Sequence, residues 1–86
     1  MNIIELIAIV KKKLQKQIVI EDIKIEDKSF LHKNHNGNQA GMFHLKITIN
    51  SRELKLMSKI DSNKKIYKVL NDEMKHFIHS LQILIN

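Results

Sequence analysis

The stretch Phe43-His44-Leu45-Lys46-Ile47-Thr48-Ile49-Asn50 carries the most regular pattern in the chain: Phe43, Leu45, Ile47 and Ile49 alternate with His44, Lys46, Thr48 and Asn50. A period of two belongs to a strand with one face buried and one wet, so a strand is predicted over 43–50 with His44 on its exposed side. Upstream, Ile18 to Asp27 is rich in β-branched residues, and Ile23 and Ile25 alternate with Asp22, Lys24 and Glu26, which predicts a first strand. Lys28 to Gly41, between the two, holds both glycines and Asn34, Asn36 and Asn38 without apolar periodicity. It reads as a long loop closing an antiparallel hairpin, and a loop of that length in a small domain is more often functional than idle.

Outside the hairpin the period changes. Asn2 can cap a helix over 3–16, whose Ile3, Leu6, Ile7, Val10 and Leu14 recur at three- and four-residue steps. Lys11, Lys12, Lys13 and Lys16 load its last turns, where the helix dipole favours cations. After a transitional stretch from Ser51 to Ile60, Asp61 can cap a second helix over 62–77, burying Ile66, Val69, Leu70, Met74 and Phe77. Residues 78–85 close the chain as a third strand with Leu81, Ile83 and Ile85 on one face. The order αββαβ implies one α+β domain over residues 1–86, with its helices packed on one face of a three-stranded sheet.

Composition bounds the function. At 86 residues and 43% hydrophobic, the chain suits one globular core but not a large enclosed active site. Without cysteine there is no disulfide and no thiolate ligand or nucleophile, so metal chemistry must use His, Asp or Glu, or a partner's sulfur. The apolar opening stops at Lys11, far short of the roughly 20 residues that span a bilayer, and lacks a signal peptide's basic start and small-residue cleavage site; a soluble, cytoplasmic protein is expected. A net charge of +6 favours anionic partners, nucleic acid or an acidic protein face, although lysines on solvated faces would give the same value.

The motifs point away from catalysis. Gly37 and Gly41 do not form a phosphate loop, and none of Ser29, Ser51, Ser58, Ser62 and Ser80 stands in a nucleophile elbow. Glu21, Asp22, Glu26 and Asp27 alternate faces along one strand, which does not pair an acid with a base. No catalytic residue is assigned. Histidine is the remaining chemistry: His32 and His35 lie in the long loop and His79 begins the last strand, whereas His44 and His76 read as surface residues. Lys64, Lys65 and Lys68, near the start of the second helix, form a basic face able to contact phosphate.

These residues also carry a family resemblance spanning nearly the whole chain. Asp27, Ser29 and His32, followed by His35 and Gly37, resemble the hairpin loop of BolA-like proteins; His44 matches the His that opens their second strand. Ile66, Leu70 and Glu73 fall in their helix, and Ile78, His79, Ser80 and Leu81 resemble the Val-His-Ala-Leu start of their last strand. Before the helix the family has Gly and an Arg-His-Arg triplet, where this chain has Ser62, Asn63 and Lys64. The resemblance implies a KH-like fold and a non-enzymatic, stress-related adaptor that binds a monothiol glutaredoxin and shares a [2Fe-2S] cluster in iron homeostasis. The partner and its glutathione would supply sulfur, and this chain His32 and His79, with His35 a further loop candidate. Two imidazoles on one iron have precedent in Rieske centres. Two other readings are a DNA-binding regulator of the same fold using Lys64, Lys65 and Lys68, and an interaction module without a cluster. A homodimer is compatible with each.

Overall fold

The computed structural model describes residues 1–29 and 42–86. Its elements run α1 (Ile3–Gln17), β1 (Asp22–Asp27), β2 (Phe43–Asn50), α2 (Arg52–Lys55), α3 (Lys59–Val69), α4 (Asn71–His76) and β3 (Ile78–Ile85). The strands form one mixed sheet in the order β1-β2-β3, antiparallel between β1 and β2 and parallel between β2 and β3. Parallel neighbours need a crossover, which here is the run of three short helices between β2 and β3. Leu6, Val10 and Leu14 of α1, Ile66 of α3 and the junction residue Leu70 meet Leu45, Ile47 and Ile49 of β2 in one buried core. The expected α+β architecture, with helices over one face of three strands, is what forms.

Strands β2 and β3 have the expected limits, but other elements depart from expectation. The expected first strand loses Ile18 to Glu21. The Ile18 N–H still bonds the Leu14 carbonyl, ending α1, while the Val19 N–H goes to Glu53 Oε1 (3.1 Å) and its carbonyl accepts from Ser51 Oγ (2.7 Å). Those groups are therefore spent on side chains instead of a ladder. The second helix begins at Lys59, because Ser58 Oγ accepts from the Asp61 N–H (3.0 Å) and is the true cap. Asp61 lies inside the first turn, and Lys64 and Lys65 lie beyond it, clear of the positive end of the helix dipole. Ser51 likewise caps the short α2 through the Leu54 N–H (3.1 Å), turning the transitional stretch helical. The single helix expected over 62–77 is broken at Leu70, whose backbone is at φ −98°, ψ 19° and which is fully buried.

Two ion pairs fasten the crossover. Glu53 on α2 accepts from Lys65 Nζ at 2.6 Å as well as from Val19, tying α3 and the strand-ward linker to α2. Glu73 on α4 is 6% exposed and takes Lys13 Nζ of α1 on Oε2 at 2.6 Å. Its Oε1 has no partner among the described residues. A buried carboxylate of this kind depends on its single cation, and the same bond raises the Lys13 pKa above its ordinary range.

Two outcomes test this packing. Leu70→Ala should destabilise the domain by about 2 to 5 kcal/mol, read from the urea midpoint, because the removed atoms leave a cavity that the sheet cannot collapse into; a loss well under about 1 kcal/mol would contradict its burial. The hydrogen bonds from Lys65 and then Val19 hold Glu53 below the usual carboxylate range. A depressed carboxylate stabilises the fold above its unfolded pKa, about 4.3, and loses that contribution as pH falls through the folded value. Glu53→Gln should therefore lower the thermal midpoint at pH 7 and cost progressively less as the pH is taken down through the acid range; a deficit independent of pH would refute the role of its charge.

Candidate functional site

In the β2–β3 ladder, Phe43 pairs with Ile78 and His44 pairs with Ser80. One extra residue, His79, is thus inserted on β3 as a bulge. The bulge explains an irregularity of the sequence: Ile78 and Leu81 both turn toward the core although three positions apart, and regular alternation resumes through Ile83 and Ile85. A bulge re-aims the side chain of the inserted residue. Here it leaves His79 exposed at the start of β3, with its ring centroid 4.9 Å from that of His44 at 43° between planes.

His44 is not the surface residue expected from alternation. It lies on the outer face of the sheet yet is only 5% exposed, because β2 is the central strand and both neighbours close over it. On the β3 side its Nδ1 shares a 2.6 Å hydrogen bond with Ser80 Oγ. On the β1 side the Lys28 N–H donates to its carbonyl (2.7 Å), and its own N–H donates to Ser29 Oγ (3.1 Å). Ser29 is itself held in an Asx turn, its N–H bonded to Asp27 Oδ1 at 2.9 Å. Asp27, Ser29, His44 and Ser80 thus form a rigid polar seam between the loop's start and His79. Alternation alone could not reveal that seam; the three-residue step from Ile78 to Leu81 was the available signal for the bulge.

Of the other expected site residues, His32 and His35 lie outside the described residues. His76 is exposed on α4, as anticipated. Among the described residues no three His, Asp or Glu side chains converge as metal ligands, and no helix is long and apolar enough to cross a membrane. Lys64, Lys65 and Lys68 do cluster on α3. They line a groove of about 880 Å³ with Lys13 and Lys16 from the end of α1, two basic contributors that reading α3 alone does not reveal.

Comparison with known proteins agrees with this geometry. Residues 14–86 match the family described as BolA-like protein. A DNA-binding transcriptional regulator BolA of Haemophilus influenzae is 33% identical over 75 residues, covering 87% of this chain and 70% of that protein. The BolA domain of SufE1 from Arabidopsis thaliana superposes with a TM-score of 0.77 at 28% identity, over 92% of this chain and 87% of the other. BolA1 from Arabidopsis thaliana shares the fold at a TM-score of 0.76 and 24% identity, over 91% and 86% of the two chains. On sequence and fold together, the chain belongs to the BolA-like family.

Proposed function

We propose that this chain is a non-enzymatic adaptor that docks a monothiol glutaredoxin and contributes imidazole ligands to a shared [2Fe-2S] cluster, in the handling of iron and iron-sulfur groups in the cytoplasm. The observation that carries the reading is the bulge: it lifts His79 out of the ladder at the start of an edge strand, across His44 from the turn where the histidine-bearing loop departs. Such a cluster, when bound, supplies one-electron and cluster-transfer chemistry.

The chain's own residues do the holding. His79 is the exposed ligand, and His44, pinned through Nδ1 by Ser80, backs its ring and limits its rotation. Ser29 fixes the loop's start against the His44 backbone. His32, three residues further along the chain, is the loop ligand in this reading, with His35 as the alternative. The donor set fits the group, since two neutral imidazoles suit one iron of a [2Fe-2S] unit and a chain lacking cysteine must leave sulfur to its partner.

A DNA-binding reading is favoured by the name of the Haemophilus relative and by Lys64, Lys65 and Lys68. Its difficulty lies in the side chains. The chain's one arginine, Arg52, is on α2, so α3 offers lysines that meet phosphate as point charges but no fork for base edges.

Mixing the protein with a monothiol glutaredoxin, glutathione, iron and sulfide under anaerobic conditions should give a visible spectrum distinct from that of the glutaredoxin alone. His79→Ala should abolish or strongly alter that spectrum and His76→Ala should leave it unchanged; an unchanged spectrum and cluster lifetime for His79→Ala would remove it as a ligand. Because protonated imidazole cannot bind iron, the complex should weaken on acidification. For DNA, affinity should fall steeply with salt and differ little among unrelated duplexes, since lysine–phosphate contacts release counterions without reading sequence. Discrimination on the order of a thousandfold would restore a sequence-specific regulator.

A further inference from the structure

We infer that the groove between α1 and α3 is a docking site for an acidic amphipathic helix of a partner protein. It goes beyond the cluster reading and shares no residue with the seam around His79. The walls are two helix faces in register: Lys13 and Lys16 one turn apart on α1, and Lys64, Lys65 and Lys68 at three- and four-residue steps on α3. Half-buried Met57 and Val69 line the groove with them. The result is a channel with apolar patches between cationic walls.

The charge there is only partly compensated. Lys13 is engaged by Glu73 and Lys65 by Glu53. Lys16, Lys64 and Lys68 make no ion pair among the described residues, and the sole carboxylate lining the groove is Asp61. An occupant must therefore bring carboxylates to the walls and aliphatic side chains to Met57 and Val69, the two faces of an acidic amphipathic helix. At 11 residues α3 is about 16 Å long, enough to run beside three turns of such a helix.

Other occupants fit less well. Single-stranded nucleic acid needs aromatic platforms and duplex recognition favours arginine, and the groove is lined by neither. A second copy is disfavoured by like charge, since α1 and α3 are themselves lysine-rich, with Glu5 and Asp61 as their only acidic residues.

The test uses the intact chain without glutaredoxin, so its outcome is independent of the cluster. A fluorescent peptide of about four helical turns, with leucines at i, i+3, i+4 and i+7 and glutamates on both flanks, is titrated by anisotropy and by methyl NMR. The controls are a peptide of the same composition with its leucines scattered and a short DNA duplex. The patterned peptide should bind at least roughly tenfold tighter than the scattered one and shift the Met57 and Val69 methyl signals. K64E/K68E should remove that preference, whereas K11E/K12E, an equal charge change on exposed residues outside the groove, should retain it. Equal binding of the two peptides, shifts confined to other surfaces, or displacement of the Met57 and Val69 signals by duplex but not by peptide would overturn the proposal. A K64E/K68E chain that keeps its amide spectrum yet still prefers the patterned peptide would do the same.

Discussion

Because β2 hydrogen-bonds to β3 in parallel, the chain leaving the sheet at Asn50 must travel back along its whole length before it can begin β3 at Ile78. That return is what α2, α3 and α4 accomplish, and it explains why the core is built on one face only. Leu54, Ile66 and Leu70 are buried along the path and close over Leu45, Ile47 and Ile49, while α1 seals the rest. The ladder also accounts for the position of His79. Its one irregularity falls at the first turnover of alternation in β3, where the chain must bring both Ile78 and Leu81 inward, and the residue expelled between them is His79.

The polar groups around that bulge and along the crossover are satisfied in different ways. On the outer face, His44 is buried by its neighbours and held by Ser80, Ser29 and Lys28, so an imidazole sits in a central strand with its backbone bonded on the β1 side and its ring on the β3 side. On the helix side, Glu53 links three segments at once, and Glu73 answers Lys13 across the core's edge. These contacts are close and directional where the apolar core is not. They tie α1 to α4 and α3 to α2, and Lys13 and Lys65, the lysines they engage, both line the basic groove.

Much of this was legible in the sequence. The alternation of Phe43 to Asn50 gave the central strand to the residue, and the spacing of Leu6, Val10 and Leu14 gave the buried stripe of α1. What went unread had short-range signals of another kind. Ser58 followed three residues later by Asp61 is a capping pattern that outranks Asp61 as a helix start. Ile18 is apolar because it closes α1 and enters the core, not because it begins a strand. The break at Leu70 has no glycine or proline to announce it, and the structure offers no local cause beyond its complete burial. For the site, the family resemblance pointed to His79, but its partnership with His44 required the register of two strands 35 residues apart in their first pairing, with Ser80 against His44 next, which no local pattern encodes.

The central claim is that this chain gives imidazole nitrogen, not sulfur, to a cluster completed by its partner. Pulsed EPR on the reduced mixed complex, with ¹⁵N-histidine incorporated only in this chain, measures that bond directly. The account predicts strong hyperfine coupling to ¹⁵N at the cluster, losing one nitrogen when His79 is replaced by Ala. A reduced cluster coupled to no ¹⁵N from this chain would contradict it.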